Sequence, residues 1–248
     1  MKFLWRLSLG LWLLLSPYCY ANNLKLLILE QPPIEYQQNG YNKGIAVDIV
    51  KEVFARLHRP VTIEVYPFAR ALRMLEESKA DGIFAIVKKS ERQVYLNYSD
   101  EVLIEQAAVL YVQAQSEITF NGQLGDLGAY RFGVLRGATY GPMWEQVIDS
   151  GGISKIERVA DYRQNVMKLV NQRLDVIIGP DYTMAYIIKE LGQEGRLKQL
   201  SPHIEVVPTY IAFSKNTVAP ELVAAFSDTL KALKRDGTYQ RIINRYIE

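Results

Sequence analysis

Apolar positions along the chain fall into two repeating patterns, short unbroken runs and helical spacings, and the two alternate. Residues 24–30, LKLLILE, are a continuous apolar run stopped by Gln31-Pro32-Pro33, the pattern of a buried strand. Ile45, Ile49, Val50, Val53, Phe54 and Leu57 then recur at three- and four-residue steps, one face of a helix that Pro60 ends. Residues 61–66, VTIEVY, alternate as a strand does. Pro67 opens a helix presenting Phe68, Leu72 and Leu75 on one side, and residues 82–87, GIFAIV, are the next strand. The order β-α-β-α-β predicts a largely parallel α/β sheet.

The alternation then begins again. Residues 107–113 read as a strand, 121–130 as a turn-rich patch and 131–135 as a strand. A loop leads into a helix over 137–150, and a short strand at 154–159 precedes a helix at 161–172. Residues 174–180 are a strand and 181–192 a helix. An extended run at 204–213 is interrupted by Pro208, and residues 219–248 have helix-turn-helix character with Gly237 as punctuation. These are two β-α units of about 90 residues joined by two extended segments. The expected division is a first lobe of residues 22–104 and 211–248 and a second of 111–204, with hinges near 104–110 and 205–211.

The first residues change the picture of where such a protein works. Lys2 and Arg6 precede an apolar core too short to span a bilayer comfortably, followed by Pro17 and then small residues up to Ala21. This is the pattern of a secretory signal over residues 1–21, cleaved after Ala21. Tyr18 stands where a lipid-attachment motif at Cys19 wants a small residue. Cleavage removes the one cysteine, so no disulfide or thiol chemistry is expected. Residues 1–21 hold two of the 29 Lys and Arg and none of the 27 Asp and Glu, so the remainder carries a formal net charge of zero. That balance lacks the footprint of a nucleic-acid or membrane-surface partner. The expectation is a soluble monomer exported to the periplasm of a Gram-negative cell.

In open α/β sheets ligands bind beyond the C-terminal ends of strands. The residues there are Gln31, Phe68, Arg70, Arg92, the 136–139 segment ending in Thr139, and Asp181. A guanidinium, an aromatic face, a hydroxyl beside glycine-freed amides and a carboxylate would together hold a small zwitterion or anion. Each has a plainer reading: Arg92 as a structural ion pair, Phe68 as core, Thr139 as a helix cap, Asp181 as partner of a helix dipole. His58 and His203 lack metal-ligand spacing, and no nucleophile elbow, zinc-protease or phosphate-loop motif occurs, so neither metal nor cofactor is expected. A buried carboxylate in a cleft would leave no motif, which keeps an enzyme open.

Six pieces in order carry a resemblance. They are residues 32–53, 66–85, 90–103, 130–141, 172–181 and 233–247, the last containing DGTYQRIINRY. The chain resembles the bacterial extracellular solute-binding proteins of family 3, polar-amino-acid receptors of ABC transporters. The resemblance implies a type II periplasmic-binding fold, α/β, with two lobes joined by two strands and closing on ligand. It implies that Arg92 grips a ligand carboxylate, that Phe68 stacks on the ligand and that Thr139 supports the carboxylate from the second lobe. Gln31 stands where tyrosine is common, and Asp181 is the nearest match to the acid that holds an amino group. Ala85, Ile86 and Val87 replace the usual serine or threonine, and the segment to Arg92 is one residue short. Pro180 takes the usual place of the acid, and Arg70 is an added cation. The implied function is capture of an amino acid or related carboxylate for an ABC transporter's permease. The alternatives on this scaffold are a prephenate- or arogenate-type dehydratase and a sensory ligand-binding protein.

Overall fold

A computed structural model of the protein describes residues 23–247, so the signal-peptide reading of residues 1–21 lies outside the described residues. β1 (Leu24–Ile28) leads through the Pro32-Pro33 turn to a hairpin, β2 (Tyr36–Gln38) and β3 (Tyr41–Lys43), and then to α1 (Ile45–Arg56). β4 (Val61–Val65), α2 (Phe68–Glu76), β5 (Gly82–Val87) and β6 (Leu96–Tyr98) follow, and β7 (Ile104–Gln113) crosses into the second half. There β8 (Phe132–Leu135), α3 (Pro142–Asp149), β9 (Ile156–Val159) and α4 (Tyr162–Val170) alternate, with β10 (Val176–Pro180), α5 (Asp181–Glu190) and β11 (Leu197–Gln199) after them. β12 (Glu205–Ser214) returns the chain to the first half, which α6 (Pro220–Arg235) and α7 (Thr238–Ile247) complete.

The main sheet runs β4-β1-β5-β12-β7-β10-β8-β9, with β6 on β12 and β11 on β7. β4-β1-β5 and β10-β8-β9 are parallel blocks, as the β-α alternation predicts. Between them the two crossing segments pair antiparallel with each other, from Glu205 opposite Ala108 to Thr209 opposite Ile104. They are thus not loose connectors but the central strands of the sheet. Pro208 does not interrupt β12, contrary to the sequence reading. Pairing with β5 begins only at Thr209, so the missing proline N–H falls where one side of the strand has no ladder to lose.

Strand alternation distributes the core. Leu26 and Ile28 of β1 join Phe54 of α1, Phe213 of β12 and Phe226 of α6 on one side, with the three phenylalanine rings 5.5 to 6.4 Å apart. Leu27 and Leu29 face the other way, into a core shared with Phe132, Trp144, Val166 and Ile187 of the second half. α6 and α7 close over α1, with Arg56 bonded to Asp236 at 2.6 Å.

Along β5 the alternation breaks. Ile83 and Ile86 pack in one core while Phe84 and Ala85 both pack in the other. The pairing explains it: Tyr210 lies opposite Ile86 and Ala212 opposite Ile83, so two residues of β5 face Ile211 alone. Ala85 stands in this bulge in the left-handed conformation, φ 54°. The bulge rotates Ile86, Val87 and the turn that follows.

Candidate functional site

The turn after β5, Ser90–Val94, carries Arg92 inward, and the side chain is only 2% exposed. Its Nη1 donates to the Val87 carbonyl at 3.2 Å and its Nη2 to the Gly137 carbonyl at 2.6 Å. Nε has no partner, and no carboxylate of the described residues forms an ion pair with the guanidinium. The Phe68 ring centroid lies 5.2 Å from its central carbon. Tyr98 also approaches it: burial pushes the Tyr98 phenol pKa up, and the Arg92 charge opposes the rise. A buried cation without an anion is costly to keep, and an arriving anion relieves that cost. The ion-pair reading of Arg92 therefore finds no acid to pair with.

Arg92 borders a cavity at the C-terminal strand ends, with about 50 Å³ open to the centres of water-sized molecules. One water needs about 10–15 Å³ on that measure, so a few waters or a small organic group fit. From the first half come Leu29, Gln31, Phe68 and the β5 end from Ala85 to Val87. The central strands add Gln106, Ala107, Ala108, Val207 and Thr209. From the second half come Leu135, Ala138, Thr139, Tyr140, Tyr162 and Pro180. Gln31, Phe68, Leu29, Leu135 and Tyr162 also border an outer cavity of about 290 Å³, joined there by Glu30, Tyr66, Asp161 and Arg163. The two spaces adjoin through these five shared residues.

Local structure explains each placement. Phe68 begins α2 directly after Pro67, which holds it at the strand end. Gln31 is fixed by the Pro32-Pro33 turn: its N–H donates to the Glu35 carbonyl at 2.7 Å, and the Leu29 N–H donates to Glu35 Oε1 at 3.0 Å. Glu35 is wholly buried with Oε2 unpartnered, and desolvation pushes its pKa well above the usual glutamate range. Gly44 lets α1 start against this turn, since a Cβ there would stand 2.3 Å from the Ile34 carbonyl oxygen. Gly137, at φ 82°, turns its carbonyl to Arg92. Thr139 is buried and its Oγ1 has no partner, so it does not act as the helix cap of the plainer reading. Tyr140 and Tyr162 are buried behind it, and desolvation raises Tyr140 to about 12.

Of the six residues marked by the sequence, Gln31, Phe68, Arg92 and Thr139 meet at the cavity. Arg70 does not: it is exposed and stacks on Tyr66 at 4.9 Å, beyond the outer cavity. Asp181 opens α5 outside the lining, where Pro180 takes its place. Burial raises the Asp181 pKa, opposed by the amides of Tyr182 and Ala107, and its buried Oδ1 has no hydrogen-bond partner. Sequence reasoning missed Gln106, buried with Oε1 unpartnered. A glutamine inside an apolar strand was the available signal. It also missed the outer set Glu30, Asp161 and Arg163, which ordinary loop composition conceals.

Contacts also join the halves away from the cavity. Lys89 reaches Glu145 of α3 at 3.1 Å as well as Glu91 at 3.3 Å. The ring centroids of Tyr36 in β2 and Tyr186 in α5 are 6.2 Å apart.

The profile of the bacterial extracellular solute-binding proteins, family 3, matches residues 24–248. A curated protein of Shewanella frigidimarina (strain NCIMB 400), named for a sensor role, is 20% identical over 222 residues, 86% of this chain. The chain spans 31% of that relative's length. A crystal structure of a histidine kinase sensor domain with similarity to periplasmic binding proteins superposes with a TM-score of 0.81. Identity is 18%, with 91% of this chain and 96% of that one covered. The substrate-binding protein of an amino acid ABC transporter superposes with a TM-score of 0.75 at 21% identity, covering 90% and 98%. The fold is that of the periplasmic binding proteins. No helix among the described residues is long and apolar enough to cross a membrane.

Proposed function

The chain belongs to the bacterial extracellular solute-binding proteins, family 3, and on that footing we propose that it captures a small organic carboxylate between its two halves. The observation that carries this reading is Arg92, buried beside the cavity with a free Nε and no acid. The ligand carboxylate takes the guanidinium, Thr139 Oγ1 supports it from the second half, and Phe68 and the β5 end enclose the ligand body. Residues 22–104 with 211–248 act as one lobe and 111–204 as the other, bending at β7 and β12. Export by the residue 1–21 signal delivers the protein to the periplasm, where it hands its ligand to an ABC permease. The family and the structural neighbours are binding proteins, which supports capture rather than turnover.

The test is a thermal-shift screen over small carboxylates, because a ligand at 100 times its Kd adds about 2.7 kcal/mol to stability. Stabilisation that disappears in Arg92→Ala supports the reading. Stabilisation retained in that variant places the ligand elsewhere.

A sensory role is the second reading, favoured by the sensor domain that superposes over 91% of the chain and by the sensor-named relative. The same captured ligand would then act through a signalling partner. Ligand uptake measured in cells with and without the gene separates the two: an unchanged uptake rate favours the sensor.

A further inference from the structure

We propose that Gln106, in the central strand β7, touches the ligand and sets part of its specificity. Its Oε1 accepts from an N–H or O–H that the ligand carries within a few bonds of its carboxylate. This rests on the reading above, in which Arg92 holds that carboxylate.

Nothing in the fold calls for an amide at this position. Of the polar side chains in β7, Glu105 is exposed, while Gln113 donates through Nε2 to the Leu169 carbonyl at 2.8 Å. Gln106 is only 5% exposed, and its Oε1 accepts no hydrogen bond. Its backbone pairs opposite Val207 of β12, so the strand ladder needs nothing from the side chain. A polar atom withdrawn from water and left without a bond destabilises a fold, and an apolar side chain of the same size would avoid the loss.

Three side chains around the inner cavity share this condition. Arg92 Nε, Thr139 Oγ1 and Gln106 Oε1 are buried and unpartnered, and all three residues line it. One comes from the first half, one from the second and one from a strand that joins them. Their hydrogen-bonding sense differs: the guanidinium only donates, the hydroxyl does either, and the amide oxygen only accepts. A carboxylate offers acceptors alone, so it answers Arg92 and Thr139 and leaves Gln106 unanswered. The missing complement is a donor. Because the inner cavity offers only about 50 Å³, donor and carboxylate belong to one small part of the ligand. Asp181 Oδ1 is buried and unpartnered as well, but its residue lies outside the lining. The ligand class is thus a small carboxylate bearing an ammonium or hydroxyl group close by, with its body toward Phe68.

The test removes the donor while holding charge constant. The probes are lactate against pyruvate, 2-hydroxy-4-methylpentanoate against 4-methyl-2-oxopentanoate, and 2-hydroxyglutarate against 2-oxoglutarate. Alanine, leucine and glutamate are the ammonium counterparts, and the tighter of the two donor-bearing members names the donor. Calorimetric titration and thermal unfolding are run on the purified protein, on Arg92→Ala, and on Gln106→Met, which keeps length and removes the acceptor. The expected result is binding tighter by about tenfold or more for a donor-bearing member than for its oxo counterpart. Gln106→Met should abolish that preference and leave the melting temperature of the free protein unchanged or higher. A preference retained in Gln106→Met, or absent from the wild type, overturns the Gln106 contact, and loss of binding in Arg92→Ala then leaves the Arg92 site standing. Gln106→Leu repeats the reading if the methionine variant does not fold; failure of both to fold makes the amide structural and overturns the proposal. Binding that survives Arg92→Ala, or no binding by any probe, overturns the Arg92 site and the Gln106 contact together.

Discussion

Arg92 donates through Nη2 to the carbonyl of Gly137 at 2.6 Å, a bond between the turn after β5 and the loop after β8 that ties the two halves of the cleft. The guanidinium that would hold a ligand therefore already spans both sides. A carboxylate arriving at Nε must coexist with this bond or displace it, and in either case ligand binding and the relation of the halves share one side chain.

Replacing that side chain gives a sharp expectation. A planar guanidinium can make two parallel charge-assisted bonds, which lysine cannot reproduce. Arg92→Lys should weaken ligand binding nearly as much as Arg92→Ala, by about 2–5 kcal/mol for a desolvated pair, or roughly tens- to thousands-fold in Kd. Phe68→Leu keeps apolar area and loses the ring, at a cost of about 0.5–1.5 kcal/mol. Calorimetry on the three variants decides; unchanged affinity with a lower melting temperature would return Arg92 to a purely structural role.

The proposed bending at β7 and β12 predicts compaction. Small-angle scattering should show a smaller radius of gyration at saturating ligand. Lys89→Ala removes the cross-cleft pair with Glu145, a pair that is about 30% exposed on each side. Such pairs contribute about 0.2–1 kcal/mol, so affinity should fall by only about fivefold or less while the radius of the free protein grows or stays equal. An unchanged radius at saturation in wild type would mean a rigid site.

Glu35 gives the protein a pH dependence of definite sign. Its folded pKa is raised well above the ordinary 4.5, so the folded state holds a proton that the unfolded state releases earlier. Its contribution to stability is full below pH 4.5 and is lost as pH rises toward the folded value. Glu30 and Asp181, also raised by burial, add slope of the same sign. Glu35→Gln should flatten melting temperature against pH above 4.5 and be the more stable protein at the upper end. An unaltered profile would mean that the carboxyl ionises freely in the fold.

The bulge makes its own prediction. Ala85 sits at φ 54°, a conformation open to glycine at no steric cost. Ala85→Gly relieves about 1 kcal/mol of backbone strain, offset in part by a freer unfolded chain, so stability should hold or rise slightly. A loss above about 2 kcal/mol in denaturant titration would show that the Ala85 methyl is needed in the core it enters.

What the sequence revealed depends on how far apart the cause lies. The β1-α1-β4-α2-β5 order was legible because each element carries its own periodicity. The hairpin of β2 and β3 was passed over, although Asn39 and Gly40 supply its left-handed turn, because its strands are polar and offer no apolar alternation. The β5 bulge was not legible at all: it is fixed by pairing with Ile211 in a strand far along the chain. Arg92 could be found because a turn at a strand end places it. Asp181 stands one residue beyond Pro180, and that single step separates a wall of the cavity from the outside of it.

The position of β12 sets the order in which the molecule can be finished. It seats Phe213 opposite Gly82 and Thr209 opposite Val87, partners synthesised more than a hundred residues earlier. Until it emerges, β5 has an unpaired edge and Phe54 lacks both Phe213 and Phe226. The strands β8, β9 and β10 pair only with one another and with β7, all of them made before β11. The half made first is thus completed last. A chain stopped before residue 205 would not be a smaller version of the protein but one with an open strand edge and an unfilled core, prone to associate with its copies.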